Sequence, residues 1–203
     1  MNYRITGTGS CTPDITKKNS DFLQNKFLDR DGSDIQSSNP EIIEKFKSIT
    51  GITERRYASD KLNCSDLATD AARNAIIDSK IDQETLDFII VAHNAGDISC
   101  NSGQVDTLPS IASKVKAKLK IKNPNCVAYD IICGCPGWVE GMIQAKSFIN
   151  SGMASKCLII GCDTLSRILD ENDRDSMIYA DGSGATILEK DTSYNGGILS
   201  HKS

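Results

Sequence analysis

The stretch from Cys126 to Gly152 constrains this fold more than any other, because a short apolar run there gives way, through a proline and flanking glycines, to a helical repeat. Val127 to Ile132 has the apolar density of a strand covered on both faces, as strands of parallel sheets are. Trp138, Met142, Ala145 and Ile149 then recur at helical spacing and share one face, while Glu140 and Lys146 fall toward water. Gly152 reads as the stop. A strand that feeds a helix in this way is a βα unit.

The same grammar repeats along the chain. Tyr3–Thr8, Phe88–Ala92, Cys157–Gly161 and Ala185–Leu188 read as further strands. A helix opens at Ser38-Asn39-Pro40-Glu41 and ends at Gly51. A second begins at Cys64-Ser65-Asp66 with Ser65 as cap, and buries Leu67, Ala71, Ala75 and Ile76 against Asp70, Arg73 and Asp78 on the wet side. A third carries Ile111, Val115 and Leu119 in one stripe. Strands alternating with helices predict a three-layer α-β-α sandwich around a mixed, mostly parallel five-stranded sheet. Gly7-Thr8-Gly9 reads as a tight turn. As a dinucleotide fingerprint it is weak, since the third glycine is absent and Pro13 interrupts the following helix.

The 203 residues suit one domain, 1–203, with 19–40 as a surface excursion and 191–203 as the start of a connection to a missing second half. The net charge of -4 argues against nucleic acid as a partner. No apolar run approaches the roughly 18 residues of a membrane span. The N-terminus lacks an apolar signal core, so the expected location is cytoplasmic. Eight cysteines contain no Cys-x-x-Cys pair and only two histidines accompany them, so no metal site is expected. All but Cys135 read as buried, reduced thiols.

The remaining polar stretches have simpler readings. Thr53-Glu54-Arg55-Arg56 is either a solvated turn or the border of a ligand entrance. Lys114, Lys116, Lys118, Lys120 and Lys122 scatter around a helix, which makes a solvated face rather than a docking stripe. Asp170–Asp175 is a polar loop, and Asp181-Gly182-Ser183-Gly184 a tight turn before the last strand.

The chemistry concentrates at Cys133-Gly134-Cys135-Pro136-Gly137, between strand and helix. Proline at the first helical position makes Cys135 the expected N-cap. There the helix dipole favours a thiolate, and backbone N–H groups are offered to an oxyanion. Cys135 is the candidate nucleophile. The residues argue against a hydrolase elbow, because its oxyanion donor would be the N–H of the following residue, here Pro136. Any oxyanion hole must use the Cys135 N–H and a donor from elsewhere. His93, just after the Phe88–Ala92 strand, falls on the same sheet edge and is either a base for Cys135 or a hydrogen-bonded structural residue.

Ala128-Tyr129-Asp130, the spacing from Asp130 to Cys135, and Cys135-Pro136-Gly137-Trp138 together resemble the active-site segment of the ketoacyl synthase III family, the thiolase-fold condensing enzymes. Thr50-Gly51-Ile52-Thr53-Glu54-Arg55-Arg56-Tyr57-Ala58 and Tyr179-Ala180-Asp181-Gly182-Ser183-Gly184-Ala185 match the same family in the same order. The resemblance covers the family's first half. It implies an acyl-Cys135 intermediate and decarboxylative condensation with a malonyl-carrier. It also implies coenzyme A or acyl-carrier thioesters as substrates with no further cofactor, an acyl carrier protein as partner, and a homodimer.

By the same resemblance Leu108 would reach across the dimer to close the partner's acyl pocket, and Arg174 would stack on the adenine of coenzyme A. The aromatic partner usual near Lys45 is absent, and Ile49 stands where an arginine is usual, so other acyl donors come into consideration. The family's catalytic His and Asn come from its second half and have no match here, which predicts acylation without condensation. The Gly-Cys-Pro-Gly-Trp form is similar to synthases of specialised lipid or polyketide routes. The competing expectation is a non-catalytic fragment or subunit that pairs with a complementary thiolase-like chain. A flavodoxin-like nucleotide module shares the architecture but lacks a phosphate loop.

Overall fold

A computed structural model of the chain describes residues 3–100 and 102–202. Met1, Asn2 and Ser203, which fall in the N-terminal run and the 191–203 connection read from the sequence, lie outside the described residues. In chain order the elements are β1 (Tyr3–Cys11), β2 (Ile15–Lys18), α1 (Asn39–Thr50), β3 (Glu54–Tyr57), α2 (Cys64–Ser79) and β4 (Phe88–His93). There follow β5 (Asp97–Ile98), β6 (Val105–Asp106), α3 (Ile111–Lys118), β7 (Val127–Ile132), α4 (Gly137–Asn150), β8 (Lys156–Asp163) and β9 (Gly182–Lys190).

The five apolar runs pair into one sheet in the order β1-β9-β8-β4-β7. β4 lies parallel to both β7 and β8, and β9 is antiparallel to β8 and β1, so four strands run one way and only β9 opposes them. Helices cover both faces. Alternate residues of β4 and β8, Ile89, Val91, Leu158 and Ile160, pack against Ala68, Ala72 and Ala75 of α2 and Val115 of α3. Their neighbours Ile90, Cys157 and Ile159 pack against Met142, Ala145 and Ile149 of α4. Burying Met142 and Ile149 favours folding by about 1.5–3 kcal/mol each. This is the expected three-layer arrangement.

Several expectations change in the assembled sheet. β7 is an edge strand, with Val127 48% and Ile132 68% exposed, rather than a strand buried on both faces. Its apolar composition signals a surface the described residues leave uncovered. Gly7 and Gly9 do not turn the chain; β1 runs through them to Cys11, with a register shift between Ile5 and Gly7. A Cβ on Gly7 or Gly9 would run into the backbone of α2 at Ala75 or Ala71, so these glycines let helix and strand approach. Gly182, Ser183 and Gly184 likewise lie inside β9, paired with Asp163, Cys162 and Gly161, and not in a turn.

The 19–40 stretch is only partly a surface excursion. Phe22 and Phe27 are buried with Ile42 and Phe46 of α1 and Met177 in a separate small core, while Asp29–Asp34 is exposed. Arg55 belongs to β3, which pairs with β2, and its guanidinium sits over the rings of Phe22 and Phe46 and donates to Asn19 Oδ1 at 2.7 Å. Arg55 is thus buried in a strand rather than set in a solvated turn, while Thr53 and Glu54 beside it are exposed. Of the α3 lysines, Lys114 bridges Asp97 and Asp106, Lys116 donates to the Cys126 carbonyl, and Lys118 meets Asp66. They tie elements together instead of forming a free face. No helix among the described residues is long and apolar enough to cross a membrane.

Candidate active site

At the carboxyl end of β7 the chain leaves the sheet through Gly134, in a left-handed conformation (φ 69°) that suits glycine. Its carbonyl accepts the Gly137 N–H at 3.0 Å, and the Pro136 carbonyl accepts the Glu140 N–H at 3.1 Å. Pro136 is therefore the N-cap, and Cys135 sits one residue ahead of the place the sequence suggested. The tight Gly134–Gly137 turn precedes the helix proper and displaces the cap. Cys135 still stands at the positive end of α4, exposed to solvent.

Cys135 lines a cleft of about 360 Å³ at the carboxyl ends of β4 and β8. Across it lie Trp138, Asp163, Asp181, Ser183 and Gly184. Asp163, the last residue of β8, accepts hydrogen bonds from the Asn94 N–H at 2.9 Å and side-chain amide at 2.7 Å. Burial pushes its carboxyl above the ordinary aspartate range, against the pull of those bonds. Asp181 binds the Ala58 N–H at 2.8 Å and both the N–H and hydroxyl of Ser166, clamping β3 to the loop before β9. Sequence reasoning singled out neither aspartate as a site residue. The available signal was their position: Asp163 ends β8 and Asp181 precedes β9 at the sheet edge where Cys135 emerges.

His93 resolves in favour of its structural reading. Its Nδ1 accepts the Gly96 N–H at 2.9 Å, so its Nε2 carries the proton and donates to Asp130 Oδ2 at 2.9 Å. Asp130 also accepts the Ile111 and Ala112 N–H groups at 2.7 and 2.8 Å, seating the N-terminus of α3 on β7. His93 follows Ile89 and Val91 onto the α2–α3 face, whereas α4 rises on the other.

Leu108 and Arg174 are not brought to the Cys135 cleft. Leu108 is 83% exposed in the loop ahead of α3. Arg174 opens a short 3-10 turn and lines a separate cleft of about 410 Å³ with Glu41, Lys45 and Ile49 of α1. The expectation that every cysteine but Cys135 is buried fails for Cys100 and Cys133, both exposed, and in part for Cys11; all eight are free thiols.

Comparison with known proteins agrees with this architecture. The profile of the family described as 3-oxoacyl-[acyl-carrier-protein (ACP)] synthase III matches residues 129–203. A beta-ketoacyl-[acyl-carrier-protein] synthase III of Neisseria gonorrhoeae is 37% identical over 190 residues, covering 93% of this chain and 52% of its own. A crystal structure of 3-oxoacyl-[acyl-carrier-protein] synthase III from Aquifex aeolicus superposes with a TM-score of 0.75 at 30% identity, covering 94% of this chain and 54% of that one. A 3-oxoacyl-(acyl-carrier protein) synthase from Burkholderia xenovorans shares the fold, with a TM-score of 0.78 at 24% identity. The chain thus spans about half the length of the curated relatives it matches. With the Cys135 cleft at the head of α4 and these likenesses together, the chain is ketoacyl synthase III-like and has the thiolase-type fold.

Proposed function

We propose that this chain is the nucleophile-bearing half of a decarboxylative condensing enzyme and forms one structural domain. One observation carries the reading: Cys135 is exposed in a cleft at the positive end of α4. In the proposed reaction the Cys135 thiolate attacks the carbonyl carbon of an acyl thioester, and the thiol of coenzyme A or of an acyl carrier leaves. Backbone N–H groups at the head of α4 are suited to the oxyanion that forms. A malonyl-carrier would then lose carbon dioxide, and the resulting carbanion would displace Cys135 from the acyl group. That second step needs a His and an Asn which the family supplies from its other half.

Arg174 would hold the coenzyme A end of a donor in the α1 cleft, a role suited to a planar guanidinium. Leu108, exposed as it is, would close the acyl pocket of a second copy in a homodimer. The expected partner is an acyl carrier protein and the expected location cytoplasmic. The test is intact-protein mass after incubation with acyl thioesters: the wild type should gain one acyl group and Cys135→Ala none. Equal labelling of both would defeat the nucleophile.

A second reading, a non-catalytic chain that pairs with a complementary thiolase-like partner, draws on the apolar surface beside α4. Ile5 is 49% and Trp138 37% exposed there, next to Val139 and Ile143. The same mass measurement separates the readings, since a purely structural chain has no reason to acylate.

A further inference from the structure

Two thiols, not one, stand open to solvent where β7 hands over to α4. Cys133 and Cys135 flank Gly134 and both are exposed. Of the other cysteines, Cys64, Cys126, Cys157 and Cys162 are buried, Cys11 is half-buried, and Cys100 donates to Asp60 at 3.0 Å. The left-handed Gly134 and the Gly137-to-Gly134 hydrogen bond at 3.0 Å fold the chain back at this point. α-Carbons two residues apart across such a bend fall in the range of about 4.4–6.8 Å over which disulfides close.

We propose that Cys133-Gly134-Cys135 is a reversible dithiol switch, in which a hydroperoxide converts the two exposed thiols to an internal disulfide. The Cys135 thiolate attacks one peroxide oxygen, the O–O bond breaks, and water or an alcohol leaves, giving a sulfenic acid. The Cys133 sulfur then attacks the Cys135 sulfur, the S–O bond breaks, and the hydroxyl leaves with the Cys133 proton as water. The two thiols together lose two electrons and the peroxide gains them. An external dithiol reverses the bond by exchange. While it lasts, the Cys135 sulfur cannot accept an acyl group; this consequence rests on the acyl-cysteine reading, the disulfide itself does not.

The competing pair is Cys64 and Cys162, whose sulfurs are 3.0 Å apart. Both are buried between α2 and β8, away from a peroxide in solvent.

The experiment treats the wild-type chain with a small excess of hydrogen peroxide, alkylates free thiols, and maps the tryptic peptide spanning 123–146 by fragmentation. The expected product has lost two hydrogens, with Cys133 and Cys135 both unalkylated and Cys126 alkylated. Dithiothreitol should restore both thiols and, with them, acyl labelling. Cys133→Ser should label as the wild type does before oxidation, but afterwards carry irreversible oxides on Cys135 that dithiothreitol does not remove. Oxidised wild type with Cys133 still alkylatable, or with the linkage between Cys64 and Cys162, overturns the proposal. The map is read without any acyl donor. Failure of the acyl-cysteine reading therefore shows in the labelling of Cys135→Ala, and failure of the switch shows in the map.

Discussion

At the scale of single residues, small groups and buried polar pairs decide more than the apolar residues that make the pattern legible. Gly9 is an example: a methyl group there would meet the α2 backbone, which a side-chain rotation cannot relieve. Gly9→Ala should destabilise the chain by about 1–3 kcal/mol, read as a lower urea midpoint with unchanged slope. His93 is another, since both its ring nitrogens are already committed, to Gly96 and Asp130. His93→Gln should cost about 1–3 kcal/mol of stability by leaving buried partners unsatisfied. Acylation of Cys135 by the folded variant should keep the rate and pH profile of the wild type. A base acting on the thiol would instead show a loss of about 10²-fold or more.

At the scale of elements, helix ends carry most of the local logic. α1 begins where the sequence places it, with the Ser38 N–H donating to Glu41 at 2.8 Å, and stops at Gly51. α2 uses the same device two residues earlier than expected: Asn63 is the cap, not Ser65, and the Asn63 N–H donates to Asp66 at 2.8 Å. Burial alone would raise the Asp66 carboxyl, but the Lys118 ammonium at 2.7 Å and the Asn63 N–H outweigh it and hold it below the ordinary range. A lowered folded value means that this contribution is fully present above the unfolded aspartate value of about 4 and is lost as pH falls through the folded one. Asp66→Asn should therefore flatten the acid limb of a urea-stability profile taken from neutral pH downward, while lowering stability at pH 7. An acid limb as steep as that of the wild type would show that other carboxylates set it.

At the scale of the whole molecule, the exposed edge of β7 and the apolar surface beside α4 lie on a chain that spans about half of its relatives. Co-expression with the C-terminal half of a ketoacyl synthase III relative should raise the melting temperature and suppress binding of an apolar dye; unchanged values for both would show that these surfaces need no such cover. The inventory of helices and most strands, the strand–turn–helix junction at Cys135, and the α1 boundaries were legible in the sequence, because apolar spacing, a leading proline and a terminal glycine act over a few neighbouring residues. The same local reading made Gly7-Thr8-Gly9 and Gly182-Ser183-Gly184 into turns, since a glycine that admits a neighbouring helix and one that bends the chain look alike. Nor did it show that Val127–Ile132 forms an edge or that His93 is held by Asp130 and Gly96 on the α2–α3 face. It also missed Asp163 and Asp181 in the Cys135 cleft. The sequence by itself determined the main segments and where the Cys135 sulfur emerges; only the tertiary structure decided strand order, the face each side chain takes and the company that sulfur keeps, because these depend on which distant surfaces are buried together.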